Sequence, residues 1–123
     1  MARNWLILSV FFIVACSSER VDFNTEAWAL DTYGCNGVRI TMLDQVKSIK
    51  DDLKGRSSES IDDLFGKPDL TDLDKRHKLY YYYYLSGGEK CETSNGEKVY
   101  LQIRFNAINR ADELIIFQSA LSN

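Results

Sequence analysis

The side chains able to do chemistry in this chain are few. Its 123 residues include three cysteines (Cys16, Cys35 and Cys91), one histidine (His77) and a run of five tyrosines at positions 80–84. No cysteine belongs to a CxxC pair and one imidazole completes no ligand set, so the residues do not spell a zinc site. Neither GxSxG nor HExxH occurs, and no serine or thiol stands with His77 in a recognisable catalytic constellation. Asp69, Asp72 and Asp74 in DLTDLD lack the glycine and closing glutamate of a calcium loop. The acidic pairs 51–52 and 62–63 read as solvated helix faces. A formal charge of −3 counts against a phosphate backbone as partner, because that needs a basic face. No catalytic residue, metal ligand or cofactor is expected, and no nucleic acid.

Cys16 follows fifteen residues unlike the rest. Twelve of the 55 apolar residues fall within 1–15, where MARNWLILSVFFIVA opens with Arg3 and runs apolar from Trp5 to Val14. Ten residues fall short of the roughly 20 that cross a bilayer as a helix, but fit the apolar region of a secretory signal, with the small Ala15 at the cut. Ile13-Val14-Ala15-Cys16 resembles the lipobox of bacterial lipoproteins. That resemblance implies removal of residues 1–15, a diacylglyceryl thioether on Cys16, and a third acyl chain (palmitate in type) on its freed amine. Several chains anchor durably where one binds marginally. Ser17 after the cysteine resembles outer-membrane sorting, which places the domain in the cell envelope, facing the periplasm. The plainer alternatives are an ordinary secreted protein, or a single N-terminal anchor helix with Cys16 incidental.

Loss of residues 1–15 leaves 108 residues, 43 of them apolar, with a charge of −4 because only Arg3 is removed. A chain of that size forms one modest core and gains from a covalent staple. Cys35 and Cys91 are an even pair in an exported chain, where oxidising conditions favour a disulfide. The bridge would close a 57-residue loop, with about 4 kcal/mol of stabilisation in the chain-entropy description. Two free thiols are the alternative.

The elements that must position these groups follow from periodicity. Residues 16–30 read as the lipidated N-terminus and tether, with room for one helical turn over Asn24–Leu30, and 31–123 as a single domain. Trp28 and Tyr33 are expected to pack on it, and Gly34 and Gly37 to flank Cys35 in a turn. Met42, Val46, Ile49 and Leu53 form one stripe of a helix over 41–54, with Leu43 beside it, Thr41 as N-cap and Gly55 after its end. Ser57 opens a second, short helix with Ile61, Leu64 and Phe65 on its apolar face, closed by Gly66 and Pro68. Gly55-Arg56 joins the two as a tight helical hairpin. Residues 67–76 read as a polar loop. Three strand-like runs follow, 78–85, 98–106 and 113–121, broken by Gly87-Gly88, by Ser94-Asn95-Gly96 and by residues 106–112. The order ααβββ predicts an α+β two-layer domain, a helical hairpin packed on a three-stranded antiparallel sheet.

Alternation puts Leu79, Tyr81, Tyr83 and Leu85 on one face of that sheet. Tyr80, Tyr82 and Tyr84 take the other, where Tyr100 and Arg104 of the next strand join them. Tyrosine offers large rigid area at little entropic cost, which suits a protein interface. The plainer reading, preferred on propensity alone, is that tyrosine is a good strand residue with both faces partly covered.

Gly55-Arg56-Ser57, Ile61 and Leu64-Phe65-Gly66-Lys67-Pro68 match G-x-S/T-x-x-x-I/V-x-x-L-x-G-x-P, followed by a hydrophilic loop and an aromatic strand. Over residues 39–121, together with the lipobox, the chain is similar to the SmpA/OmlA (BamE-like) small envelope lipoproteins. The resemblance implies a helical pair on a three-stranded antiparallel sheet, a shape shared with beta-lactamase-inhibitor-type proteins. It also implies a non-enzymatic module, held to the membrane by its N-terminal lipid, that binds another envelope protein in outer-membrane assembly or maintenance. A tethered inhibitor or ligand-binding protein is the second reading. Mass spectrometry of the mature N-terminus should find an acylated Cys16 as the first residue; an unacylated chain, or one soluble without detergent, would overturn the anchor.

Overall fold

Two local caps and one distant one start the helices. The computed structural model describes residues 22–87, 90–91 and 97–120; the expected leader, Cys16, the tether up to residue 21, Gly88 and Ser94-Asn95-Gly96 lie outside the described residues. Helix α1, Thr25–Leu30, begins where the Asn24 side chain accepts the Ala27 N–H at 3.2 Å. A 3₁₀ turn over Thr32–Gly34 follows. Helix α2, Val38–Thr41, is preceded by Gly37 at φ 76°, which has no side chain to cap it. Asp31 serves instead: its carboxylate accepts the N–H groups of Asn36 (2.7 Å), Val38 (2.9 Å) and Arg39 (2.9 Å).

This distant cap corrects the expectation of one helix over 41–54 started by Thr41. Helix formation begins three residues earlier, turns at Met42, resumes as α3, Leu43–Ile49, and tightens into a 3₁₀ turn over Lys50–Leu53. The predicted stripe survives the break, since Val46, Ile49 and Leu53 are buried and Met42 packs against them. Helix α4, Ser58–Phe65, is as the sequence predicts: Ser57 Oγ accepts the Ser60 N–H at 3.2 Å, Ile61 and Phe65 are buried, and Gly66 ends the helix.

Four strands complete the fold: β1, Leu70–Leu73, β2, Leu79–Ser86, β3, Glu97–Phe105, and β4, Ala111–Ala120, antiparallel in the order β1-β2-β3-β4. The α+β two-layer class holds. The three predicted strands are β2, β3 and β4; the fourth, β1, lies inside the predicted polar loop 67–76. Its four residues are all exposed, so no burial pattern marks it. It is a strand because its backbone pairs with Leu79–Tyr82 across a turn organised by Asp74. There Asp74 Oδ1 accepts the N–H groups of Arg76 (2.8 Å) and Lys78 (2.9 Å). Those donors, Lys78 first, hold its carboxyl below the usual range.

All the helices contribute to one side of the sheet. Trp28, with no exposed surface, packs against Phe65 (5.1 Å between ring centres), Phe23 (5.4 Å) and Tyr83 (6.3 Å). Tyr81, Leu85, Leu101, Ile103, Phe105 and Leu114 extend this core along the strands. Trp28 packs on the domain as expected, and Phe23, from the segment assigned above to the tether, packs beside it. Sequence patterning misses Phe23 because a single phenylalanine makes no periodic stripe.

Cys35 and Cys91 are joined by a disulfide, with their Cα atoms 5.2 Å apart. It ties the turn before α2 to the β2–β3 connection. Reduction should lower the urea midpoint by an amount equivalent to at most about 4 kcal/mol, and a Cys35→Ser/Cys91→Ser double variant should reproduce the loss. An unchanged midpoint would show that the bridge carries no stability.

Candidate functional site

Beyond Tyr82, no described strand pairs with the outer side of β2, because β1 begins only at Leu70. A buried ion pair takes the missing strand's place. The Tyr84 N–H donates to Asp69 Oδ2 at 2.8 Å, and the Tyr84 carbonyl accepts from an Arg39 terminal nitrogen at 3.0 Å. The same nitrogen meets Asp69 Oδ2 at 2.7 Å, with both side chains 2% exposed. Arg39 Nε donates to the Trp28 carbonyl at 2.8 Å, and the guanidinium lies 4.8 Å from the Trp28 ring centre. Asp69 Oδ1 accepts the Tyr33 N–H at 3.1 Å.

This network presses the 3₁₀ turn against β2. Gly34 makes the approach feasible: a Cβ there would lie 2.5 Å from the Leu85 carbonyl carbon, and its φ of 66° also favours glycine. Tyr33 is held at φ 61°, a conformation tyrosine seldom adopts, with its ring stacked on Tyr84 at 6.1 Å.

From that stack a row of rings crosses the sheet face opposite the helices. Tyr84 meets Tyr100 at 5.7 Å, Tyr82 meets Tyr100 at 6.1 Å, and Tyr100 stacks on Phe117 of β4 at 5.0 Å and 21°. Leu70, Tyr82, Tyr84, Lys98 and Tyr100 line a shallow hollow of about 260 Å³. The Lys98 ammonium lies 5.6 Å from the Tyr84 ring centre. Burial, then Asp72, raise the titration of the Tyr82 hydroxyl above that of free tyrosine, so it keeps its proton at neutral pH and can donate.

The five residues singled out from sequence therefore share one face but not one role. Tyr82 and Tyr100 are half-buried and reachable. Tyr84 is 6% exposed, so its ring supports the face rather than offering contact. Tyr80 lies in register between Asp72 and Arg104. Arg104 is already engaged, with Nε 2.8 Å from Asp112 and a terminal nitrogen 3.0 Å from Glu113. Phe117 and Leu70 are members that sequence reading missed. The strand alternation of 113–121 carried a signal for Phe117, whereas Leu70 sits in a segment that reads as loop.

The acidic groups are dispersed. Asp69 is buried against Arg39, Asp72 lies in β1, and Asp74 is committed to its turn, where His77 is exposed at φ 62°. Among the described residues no group of three His, Cys, Asp or Glu side chains could hold a metal ion, and no helix is long and apolar enough to cross a membrane. No family model, curated protein or solved structure matches the chain. Fold and site together define an α+β domain, helices on one side of an open antiparallel sheet and aromatic rings on the other.

One acidic residue departs from its predicted place. Asp62 is not on a solvated helix face: it is half-buried, with Oδ1 enclosed and unpartnered. Desolvation, followed by repulsion from Asp63, raises its pKa, while the Tyr81 hydroxyl works against the shift. A raised carboxyl pKa in the folded state means that ionisation weakens the fold, so this penalty is present at neutral pH and fades as pH falls through the raised value. Asp62→Asn should melt higher than the parent at pH 7, with the difference shrinking on acidification. A difference independent of pH would assign the effect to something other than titration.

Proposed function

We propose that the chain is a lipid-anchored, non-enzymatic module of the bacterial cell envelope that binds another envelope protein through the outer face of its sheet. The observation that carries the binding surface is the row Tyr82, Tyr100 and Phe117, packed rings presented on a face that no described helix covers. Their orientations are set by neighbours already in place, so little side-chain freedom is lost on contact. The Tyr82 hydroxyl adds directional hydrogen bonding, and Lys98 adds a cation at the rim of the hollow. Anchoring rests on the lipobox-like Ile13-Val14-Ala15-Cys16. The order of helices before an antiparallel sheet accords with the SmpA/OmlA-like resemblance and supports a role in outer-membrane assembly or maintenance.

A photo-crosslinking residue in place of Tyr82, in native membranes, should capture one envelope protein. Tyr82→Ala with Tyr100→Ala should reduce, by about tenfold or more, crosslinking from a second probe in place of Leu70, as expected when two aromatic contacts of an interface are lost. Capture of a hydrolytic enzyme or a small ligand would support the tethered-inhibitor reading instead. Unchanged crosslinking in the double variant would remove the aromatic face from the function.

A further inference from the structure

The sheet has two edges, and they are treated differently. At the β1 side the strand is only four residues long and carries Asp72. Past it, the Arg39–Asp69 pair occupies the backbone groups of Tyr84. That edge is blunted by the devices that discourage strand addition: shortness, charge and a covering segment.

The β4 edge has ten residues. Its outer backbone is engaged only at the first of them: Ala111 exchanges hydrogen bonds with Gly55 (2.7 Å) and Arg56 (2.8 Å). From Asp112 onward no described residue outside β3 bonds to the β4 backbone. Its charges, Asp112 and Glu113, sit at that same end and are held by Arg104. The irregularity in its pairing also lies there, beside Phe105. The seven residues Leu114–Ala120 contain no charge and no proline, in a chain with 27% charged residues. A row of donors and acceptors that no described residue engages, in extended backbone, is suited to the addition of an extended strand.

We propose that the outer edge of β4 pairs antiparallel with β4 of a second copy of this chain, joining the two sheets into one of eight strands. The segment is its own complement. With the two-fold axis at Ile116, Ile115 of one copy lies opposite Phe117 of the other, and Leu114 opposite Gln118. Asp112 and Glu113 fall opposite Ala120 and Ser119, so like charges do not face each other, which would destabilise the pair. The Gly55–Arg56 cover at Ala111 limits the seam to Asp112–Ala120. The row of rings that crosses each sheet and ends at Phe117 continues across the axis onto Ile115 of the copy, so the aromatic face of one molecule runs into that of the next. A closed two-fold contact of this kind uses up both free edges and stops at the dimer.

Sedimentation of the full chain in detergent should show a reversible monomer–dimer equilibrium. Hydrogen exchange should show amide protection within Asp112–Ala120 that rises with protein concentration. Ile115 is absent from the helix-side core, so Ile115→Lys should fold and weaken the dimer by about tenfold or more, through two lost cross-strand contacts with Phe117. A chain that stays monomeric at every concentration would overturn the proposal. So would a dimer whose β4 amides exchange independently of concentration, or one that Ile115→Lys leaves intact. If that variant failed to fold, the exchange pattern of the parent chain would still decide the matter.

Discussion

The Arg39–Asp69 ion pair does for the far end of β2 what a neighbouring strand would do. It supplies an acceptor to the Tyr84 N–H and a donor to the Tyr84 carbonyl, and it holds the Trp28 carbonyl and the Tyr33 N–H in the same network. Taking two charges out of water is costly, and attraction between them offsets that cost only when their remaining hydrogen-bonding capacity is also used. Here Asp69 receives the N–H groups of Tyr33 and Tyr84 besides the guanidinium, and Arg39 serves two carbonyls. Deleting one partner of such a buried pair typically costs about 3–5 kcal/mol, because the other charge is left uncompensated. The pair therefore joins four segments, α1, the 3₁₀ turn, α2 and β2, that share no continuous secondary structure.

The aromatic face is a consequence of this arrangement. With Asp69 committed to Tyr33 and Tyr84, the Tyr33 ring is laid on Tyr84, and the stack becomes the fixed end of the row that continues through Tyr100 to Phe117. The disulfide reinforces the same corner, since Cys35 follows the 3₁₀ turn directly and its bond to Cys91 closes the β2–β3 connection against it. One end of the sheet is thus covered and cross-linked, and the other end, at β4, carries over most of its length no charge and, among the described residues, no cover. The asymmetry separates a structural edge from an edge open to association.

Much of the architecture was legible from residue types and spacing. The α4 cap at Ser57, its apolar Ile61 and Phe65 and its end at Gly66 are short-range features, and the strand alternations in β2 and β3 assigned the two sheet faces correctly. What escaped reading has one physical character. Asp31 caps α2 from seven and eight residues away, Asp69 meets Arg39 across thirty positions, and β1 owes its existence to pairing rather than to its own four exposed residues. Asp62 looked solvated because its helix face carries Glu59 and Asp63, yet the sheet brings Tyr81 against it.

Residue order alone determined the two-layer α+β class and the division of the tyrosines between two faces. Both depend on local periodicity, whereas the Cys35–Cys91 pairing, one of two open readings of the sequence, was decided by the folded chain. Only the tertiary structure decided that Phe23 joins the core, which tyrosines are reachable, and which sheet edge the described residues leave open. These follow from burial and from hydrogen bonds between residues remote in the chain. A charged residue such as Arg39 or Asp69 has no periodic signature that announces its burial, and only folding brings the opposite charge within reach.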